Sequence, residues 1–317
     1  MKAMILAAGS GTRALPLTHL RPKPLFPICN SPLLGLTINQ LKEAGVKDIV
    51  INTHHLNHKI NSYFQENTPS GVSITLRYEP NLLGTAGGIK NVEDFWDDQP
   101  FIVINGDIIH TIDLNAAYQK HIKSRNLATL ILHNYPRYNQ VEIDQEGTIV
   151  GIRGKRVKET LSTIYQCAFT GIHIISFQLL REIPPNRYVD IIPLYLNLIA
   201  RGMKVCGDKV EKHYWFDIGT PEDYHSIHRD IHQKKISLRN DFNFPSFKSE
   251  SSSIDNSTIF DGYVCIGRNT AIGKNCIIRN SIIWDEVKIE DNLSIEECII
   301  GDDVMVKKSL RNRVVIS

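Results

Sequence analysis

The residues best suited to chemistry stand near the start of the chain, in LAAGSGTRALPLTHLRPKP at 6–24. Gly9 and Gly11 let a backbone approach phosphate oxygens and expose amide donors, and the planar fork of Arg13 can bridge two such oxygens. Lys23 lies between Pro22 and Pro24, whose rings fix the local backbone, so a flexible ammonium is carried on a stiff support. Such a lysine can neutralise a phosphorus centre as charge builds. Gly9, Gly11 and Ala14 also satisfy G-x-G-x-x-A, but the dinucleotide fold wants an acidic residue at the end of its second strand, and here that strand ends in Asn52 and Thr53. A G-x-x-x-x-G-K phosphate loop is absent. The remaining readings are a loop that sets triphosphate against backbone amides, or an ordinary glycine turn followed by a solvated lysine.

These residues need elements to hold them. MKAMILAAG is a short apolar run stopped by glycine, and SPLLGLTINQLKEAGV has helical spacing with a serine-proline start and a glycine stop. DIVINTHH, VSITLRYEP and FIVINGDIIH read as further strands, HLNHKINSYFQ as a helix, and LLGTAGGIKNV as a glycine-rich loop. Strands alternating with helices predict crossover units and an α/β fold, a Rossmann-like, mainly parallel mixed sheet covered by helices on both faces. Ligands in such sheets sit beyond the carboxyl ends of the strands. LATLILH, VEIDQEGTIVGI and CAFTGIHIIS read as strands of the middle region, and VDIIPLYLNLIARG as a helix.

Composition shifts at 232–253, where HQKKISLRNDFNFPSFKSESSS reads as a linker between a domain at 1–231 and a tail at 254–317. In the tail Ile266, Ile272 and Ile278 are six apart, as are Ile283, Ile289 and Ile295. A six-residue aliphatic period predicts a parallel β-helix of about three coils, with one-residue slips before Ile283 and Ile300.

Several of these pieces together resemble the signature of the sugar-1-phosphate nucleotidylyltransferases. LAAGSGTR, PLT and PKPLFPI are followed in order by LLGTAGGI at 82–89, INGDII at 104–109 and WFDIGTPEDY at 215–224. The likeness covers about 1–228, and a hexapeptide-repeat tail forming a left-handed β-helix is common in that family. The resemblance implies transfer of a nucleoside monophosphate from a nucleoside triphosphate to a sugar 1-phosphate, with release of pyrophosphate. It implies that Leu6, Ala7, Ala8, Gly9, Gly11 and Thr12 line the nucleotide loop with Gly84, Thr85, Ala86 and Gly106. It gives Arg13 and Lys23 the catalytic charge, and Asp107 and Asp217 a magnesium ion, Mg²⁺; two carboxylates suit a hard cation that takes its remaining ligands from phosphate. On the sugar side it points to Asn139, Lys155, Thr170, Gly171 and Asp190. There the chain departs from the pattern, with Tyr138-Asn139-Gln140-Val141 for YGVV, and Gly154 and Arg156 flanking Lys155.

The likeness to mannose-1-phosphate guanylyltransferases favours GTP and mannose 1-phosphate. UTP or dTTP with another sugar or amino-sugar phosphate, and a catalytically silent nucleotide-sugar-binding subunit, are the competing readings. An acyltransferase tail is disfavoured, since 254–317 contains no histidine to serve as base.

The formal net charge of +2 offers no global field for nucleic acid or an anionic membrane, so neither is an expected partner. The apolar run before Gly9 is far shorter than the roughly 20 residues of a membrane span. The six cysteines show no CxxC pair and read as buried thiols, neither metal cluster nor disulfide framework. HHLNH places His54 and His58 on one helix face, but no further ligand is apparent beside them. A cytoplasmic enzyme is expected, homo-oligomeric and assembled through its tail or with the tail packed on the catalytic domain.

Overall fold

The computed structural model describes residues 1–236 and 246–317; 237–245, within the expected linker, lie outside the described residues. The chain forms two compact units, one of 1–9 with 37–215 and the other of 10–36 with 216–317. The α-helices in chain order are α1 Leu33–Glu43, α2 Asn57–Glu66, α3 Gly84–Lys90, α4 Leu114–Ser124, α5 Ile191–Ala200 and α6 Pro221–His232. Among the described residues no helix is long and apolar enough to cross a membrane.

The first unit is built on a mixed sheet. Phe101–Asn105, Lys2–Leu6, Asp48–Thr53 and Ser73–Tyr78 run parallel in that order, and Tyr165–Ile175 joins Phe101–Asn105 antiparallel. Asn139–Ile143 and Ile149–Ile152 continue beyond it, while Ala128–His133 pairs with the same long strand and carries Val205–Lys209 in parallel. Ala3, Met4 and Ile5 are all fully buried, although successive side chains point to opposite faces, so this strand is covered on both sides. The register sets Leu6 beside Asn52 and Asn105, aligning the carboxyl ends of three parallel strands on one edge.

Three sequence expectations change in detail. FIVINGDIIH breaks into Phe101–Asn105 and Ile108–His110, with Gly106 and Asp107 in the turn. VEIDQEGTIVGI is a hairpin, turned at Asp144, which accepts the Glu146 and Thr148 N–H groups. LLGTAGGIKNV is not a loop, because 84–90 form α3. Its glycines serve close approach rather than flexibility. A Cβ at Gly87 would lie 2.7 Å from the Arg187 carbonyl oxygen, and one at Gly88 2.8 Å from Glu79 Oε1.

In the second unit α6 starts at a capping box, Thr220 and Asp223 satisfying each other's backbone, with Pro221 in the first turn. The strands from Ser246 onward pair only in parallel, in three stacked columns. Phe260, Ile278, Ile295 and Leu310 follow one another in one column; Ile254, Ile272, Ile289 and Val306 in the second; Ile266, Ile283, Ile300 and Val315 in the third. The one-residue slips have a place in this geometry. Ile254 stacks under Ile272 but Ile266 under Ile283, so a repeat of 18 becomes one of 17, and the register shifts between Asp261 and Val264. There Gly262, at φ +68°, leaves the space that Asn280 Oδ1 occupies.

Candidate functional site

The first unit holds Leu6 to Gly9, expected from the sequence to line a nucleotide, and a chain of buried polar groups fixes them. The Ala7 N–H donates to Asn52 Oδ1 at 2.9 Å, Asn52 Nδ2 donates to Glu79 Oε1 at 2.8 Å, and the Leu83 N–H donates to Glu79 Oε2 at 3.2 Å. Asn52 and Glu79 are buried, so each of these bonds replaces water that cannot reach the groups. The chain ties the ends of three strands to the start of α3. The Gly106 N–H donates to the Leu6 carbonyl at 2.9 Å, bringing the INGD turn alongside the loop.

Gly84, Thr85 and Ala86 open α3. Gly84 stands at φ +69° with the Val189 carbonyl where a Cβ would be, and the Ala86 and Gly87 N–H groups both donate to that carbonyl at 3.0 and 3.2 Å. Asp190 follows, and its carboxylate accepts the Ile192 N–H at 3.2 Å as the cap of α5. Thr170 donates through Oγ1 to the Ile131 carbonyl at 2.8 Å, at a register break of the long strand, and Gly171, φ +79°, packs on the Asn105 side chain. Asn139 braces the preceding loop, accepting the Tyr135 N–H and donating to Asn134 Oδ1, each at 2.9 Å. Lys155 is exposed on the edge strand and is not brought to these residues by any pairing except that with Ile152. Asp107 is half-buried two residues past the strand end.

The second unit gathers Arg13, Lys23 and Asp217. Arg13 Nη2 lies 3.5 Å from Asp217 Oδ2, and Lys23, buried to 7% exposure, donates through Nζ to the Gly219 carbonyl at 3.1 Å. A Cβ at Gly219 would lie 2.8 Å from Arg13 Nη1 and 3.0 Å from Asp223 Oδ2, so a side chain there would displace the guanidinium. Gly11, at φ +65°, turns the chain under Thr18, whose Oγ1 donates back to the Gly11 carbonyl at 3.3 Å. Thr12 opens the short 3-10 turn that carries Arg13.

Residues of the tail secure the Lys23 loop. Arg21 donates to Asp285 at 2.9 Å and through Nε to Asp302 at 2.8 Å, and its guanidinium lies over the Trp284 ring. Trp284, fully buried, packs on Phe26 and donates through Nε1 to the Tyr224 hydroxyl at 3.2 Å; that hydroxyl donates to the Pro27 carbonyl. Burial alone would raise the Asp285 carboxyl, but the Arg21 charge and the Arg268 N–H outweigh it and hold it below the ordinary range.

Asn52, Glu79, Gly219, Arg21, Trp284 and Asp285 are the contributors that sequence reasoning missed. Asn52 stood in plain view at a strand end, where an amide in place of an acid signals a partner on both sides. The cysteine reading needs a correction too. Five of the six thiols are buried as expected, but Cys29 and Cys265, separated by most of the chain, meet at His228. Spacing along the chain carries no trace of that meeting. His54 of the HHLNH run faces the Glu79 carbonyl at 2.7 Å, and no metal-like group forms around it among the described residues.

With the geometry in place, the comparisons give the family. The chain belongs to the nucleotidyl transferase family, whose profile matches residues 2–234, and a second profile, the GMPPB C-terminal domain, matches 243–316. Its relatives are sugar-1-phosphate nucleotidylyltransferases, and the chain is an enzyme of that class. It is 34% identical over 74% of its length to a UTP–glucose-1-phosphate uridylyltransferase of Synechocystis sp., and the match spans 64% of that relative. It is 27% identical over 93% of its length to a mannose-1-phosphate guanylyltransferase of Mycobacterium tuberculosis, spanning 82% of it. The crystal structure of HddC from Yersinia pseudotuberculosis complexed with GMP-PN is similar at a TM-score of 0.59 and 25% identity, covering 71% of this chain and 97% of that one.

Proposed function

We propose that the chain transfers GMP from GTP to mannose 1-phosphate, forming GDP-mannose and pyrophosphate. The observation that carries the reaction type is the gathering of Arg13, Lys23 and Asp217 around the Gly219 turn. A silent relative has no physical need to keep two cations and a carboxylate there. The choice of guanine and mannose rests on the tail, which matches the C-terminal profile named above, and on the guanylyltransferase relative that aligns along nearly the whole chain. The higher identity of the uridylyltransferase over 74% of the chain makes UTP with glucose 1-phosphate the second reading.

In this reading a phosphate oxygen of the sugar 1-phosphate attacks the α-phosphorus in line. A new P–O bond forms, the bond to the β-phosphate oxygen breaks, and pyrophosphate takes the electron pair. The nucleophile is already an anion, so no covalent enzyme residue is needed. Lys23 meets the charge that builds on the α-phosphate, and Arg13 holds the departing phosphates. The amides of Ala8, Gly9, Gly11 and Thr12 receive phosphate oxygens, with Leu6 and Ala7, whose N–H is held by Asn52, lining the loop, and Gly84, Thr85, Ala86 and Gly106 on the nucleoside side. Asn139, Thr170 and Gly171 face the sugar; Lys155 and Asp190 contribute less, one at an exposed edge and the other already capping α5.

Asp107 and Asp217 are each half-buried carboxylates of the kind Mg²⁺ takes, and the family resemblance is what assigns them to it. A bound Mg²⁺ would supply positive charge to the phosphate oxygens. We further read 1–231 as catalytic domain, 232–253 as linker, and 254–317 as a left-handed β-helix that packs on the catalytic loop or joins copies of the chain, in a cytoplasmic enzyme.

The test is pyrophosphate release in the presence of Mg²⁺, with GTP, UTP, dTTP, CTP and ATP each set against a panel of hexose and aminohexose 1-phosphates. GTP with mannose 1-phosphate is expected to give the highest kcat/KM, abolished in Asp107→Ala. A preference for UTP with glucose 1-phosphate moves the assignment to the second reading. No release from any pair, with nucleotide sugar still bound, leaves a silent subunit.

A further inference from the structure

Cys29, His228 and Cys265 bring one ligand atom each within 4.8 Å of one another, and all three residues are buried. The cluster lies wholly in the second unit, and the nucleotide chemistry makes no use of it. Three independent features aim its side chains.

Cys29 and Asn30 form the two-residue turn between Pro27–Ile28 and Ser31–Pro32, at φ +49° and +65°. Both central positions of such a turn favour glycine or asparagine. Asn30 fits that preference, but cysteine does not, and a side chain held in the left-handed region at some cost marks a position kept for what it presents. Asn30 Nδ2 also donates to the Ile266 carbonyl at 2.8 Å, docking the turn on the strand that carries Cys265. On that strand Val264 and Ile266 enter the core of the stacked columns, so Cys265 between them faces the other way, toward the turn.

His228 completes the set. Its Nδ1 lies 2.9 Å from the Tyr224 carbonyl, one turn earlier in α6. A carbonyl only accepts, so Nδ1 carries the hydrogen and Nε2 keeps its lone pair, the arrangement by which an outer partner prepares a histidine to bind metal. The Cys29 N–H donates to Nε2 at 3.3 Å, placing the ring against the turn, and metal binding takes over the lone pair that this long bond now occupies.

We propose that Cys29, His228 and Cys265 form a structural binding site for a thiophilic d10 cation, with zinc as its natural occupant. Two sulfurs and an imidazole are soft and borderline ligands, unsuited to the hard ion that phosphate chemistry uses. Zinc–sulfur bonds of about 2.3 Å and zinc–nitrogen bonds of about 2.1 Å put ligand atoms of one tetrahedral ion roughly 3.5–3.8 Å apart, inside the 4.8 Å span within which these three atoms already meet. The fourth position falls to a backbone carbonyl or a water. Burial gives no substrate access, so the ion acts as a staple. It would clip the hairpin following Lys23, helix α6 and the first coil of the tail, three segments far apart in the sequence.

The test uses the full chain, prepared anaerobically without chelator from cells supplied with zinc. Elemental analysis after desalting is expected to give roughly one zinc per chain, and exchange into cobalt(II) to give the thiolate-to-cobalt charge-transfer band together with intense tetrahedral d–d bands. Carboxylate-bound cobalt at the phosphate site has no thiolate and cannot produce that band. Cys265→Ser and His228→Gln are expected to lose the metal, while Cys206→Ser and Cys276→Ser keep it. The wild-type cobalt spectrum stands even where a variant fails to fold. Wild-type protein that neither retains zinc nor develops the charge-transfer band overturns the proposal, as does a Cys29–Cys265 disulfide in the anaerobic preparation.

Discussion

The two units hold the loops at 6–9 and 11–26 by opposite means. In the first, a buried amide, a buried carboxylate and backbone N–H groups link Ala7 to Asn52, Glu79 and Leu83, and histidines fill polar gaps elsewhere in the interior. In the second, the loop bearing Arg13 and Lys23 is fastened by ion pairs from Arg21 to Asp285 and Asp302 and by the Trp284 ring. Hydrogen bonds in a dry interior ignore salt, but those accepted by an imidazole fail when it is protonated. Ion pairs held partly out of water resist mild acid. The difference separates the part that shapes the loop from the part that charges it.

Acid should break the comparison most widely. His110 accepts the Ile112 N–H at Nδ1, and His173 lies 2.6 Å from the Tyr195 hydroxyl. Burial lowers both, His110 to about 4 with help from His213, and His173 to about 3. A folded value below the unfolded 6.5 means that the unfolded chain takes up the proton first. The stability these residues contribute is therefore complete above 6.5 and is lost as pH falls through 6.5 toward 4 and 3. Each costs up to about 1.4 kcal/mol per pH unit in that window, so the pair removes at most about 4 kcal/mol between neutrality and roughly pH 5. Asp285, already below the ordinary carboxylate range, stays ionised there. Burial lowers His121 and His133 of the first unit to about 4 as well, against His225 in the second, so amide exchange resolved by peptide and corrected for intrinsic rate should show loss of protection in 37–215 before 216–317. Equal loss in both units would refute the contrast.

A smaller effect isolates the first unit's polar chain. Glu79→Ala strands Asn52 Nδ2 in a dry interior and takes the acceptor from the half-buried Leu83 N–H, at a cost of about 2–4 kcal/mol by urea denaturation, while Glu79→Gln, still an acceptor, costs about half. An alanine variant within about 0.5 kcal/mol of the wild type would mean that water replaces the carboxylate and that the chain of bonds does not shape the loop.

How much of this could be read from the amino acids follows from what local pattern records. The parallel strands, α1, α2, α5 and the aliphatic columns of the tail were legible because their periods are local, and the family resemblance located INGDII and WFDIGT in order. LLGTAGG reads as a loop because glycine signals both freedom and close approach, and the Arg187 carbonyl that distinguishes the two at Gly87 is a hundred residues away in sequence. The grouping of 10–36 with 216–317 was invisible for the same reason. It depends on Arg21 meeting Asp285 and on Tyr224 meeting Pro27, pairs with no signature in the spacing of either segment.

The finest probe of the second unit is Trp284→Phe. The ring stays against Phe26, whose centroid lies 5.3 Å away, and beneath the Arg21 guanidinium, but the Nε1–H bond to the Tyr224 hydroxyl is lost. That hydroxyl still donates to the Pro27 carbonyl, so no donor is stranded, and the expected cost is about 1 kcal/mol, a fall of roughly 2–4 °C in Tm. Turnover below the melting range should hardly change, because Arg21 keeps both carboxylates and Lys23 its carbonyl partner. A loss of stability as large as the roughly 3–5 kcal/mol of a tryptophan-to-alanine change would assign the grip on the loop to that one hydrogen bond. A loss of turnover at unchanged Tm would instead mean that the indole sets the position of Lys23 as well as securing it, so that the tail takes part in aligning the catalytic charge.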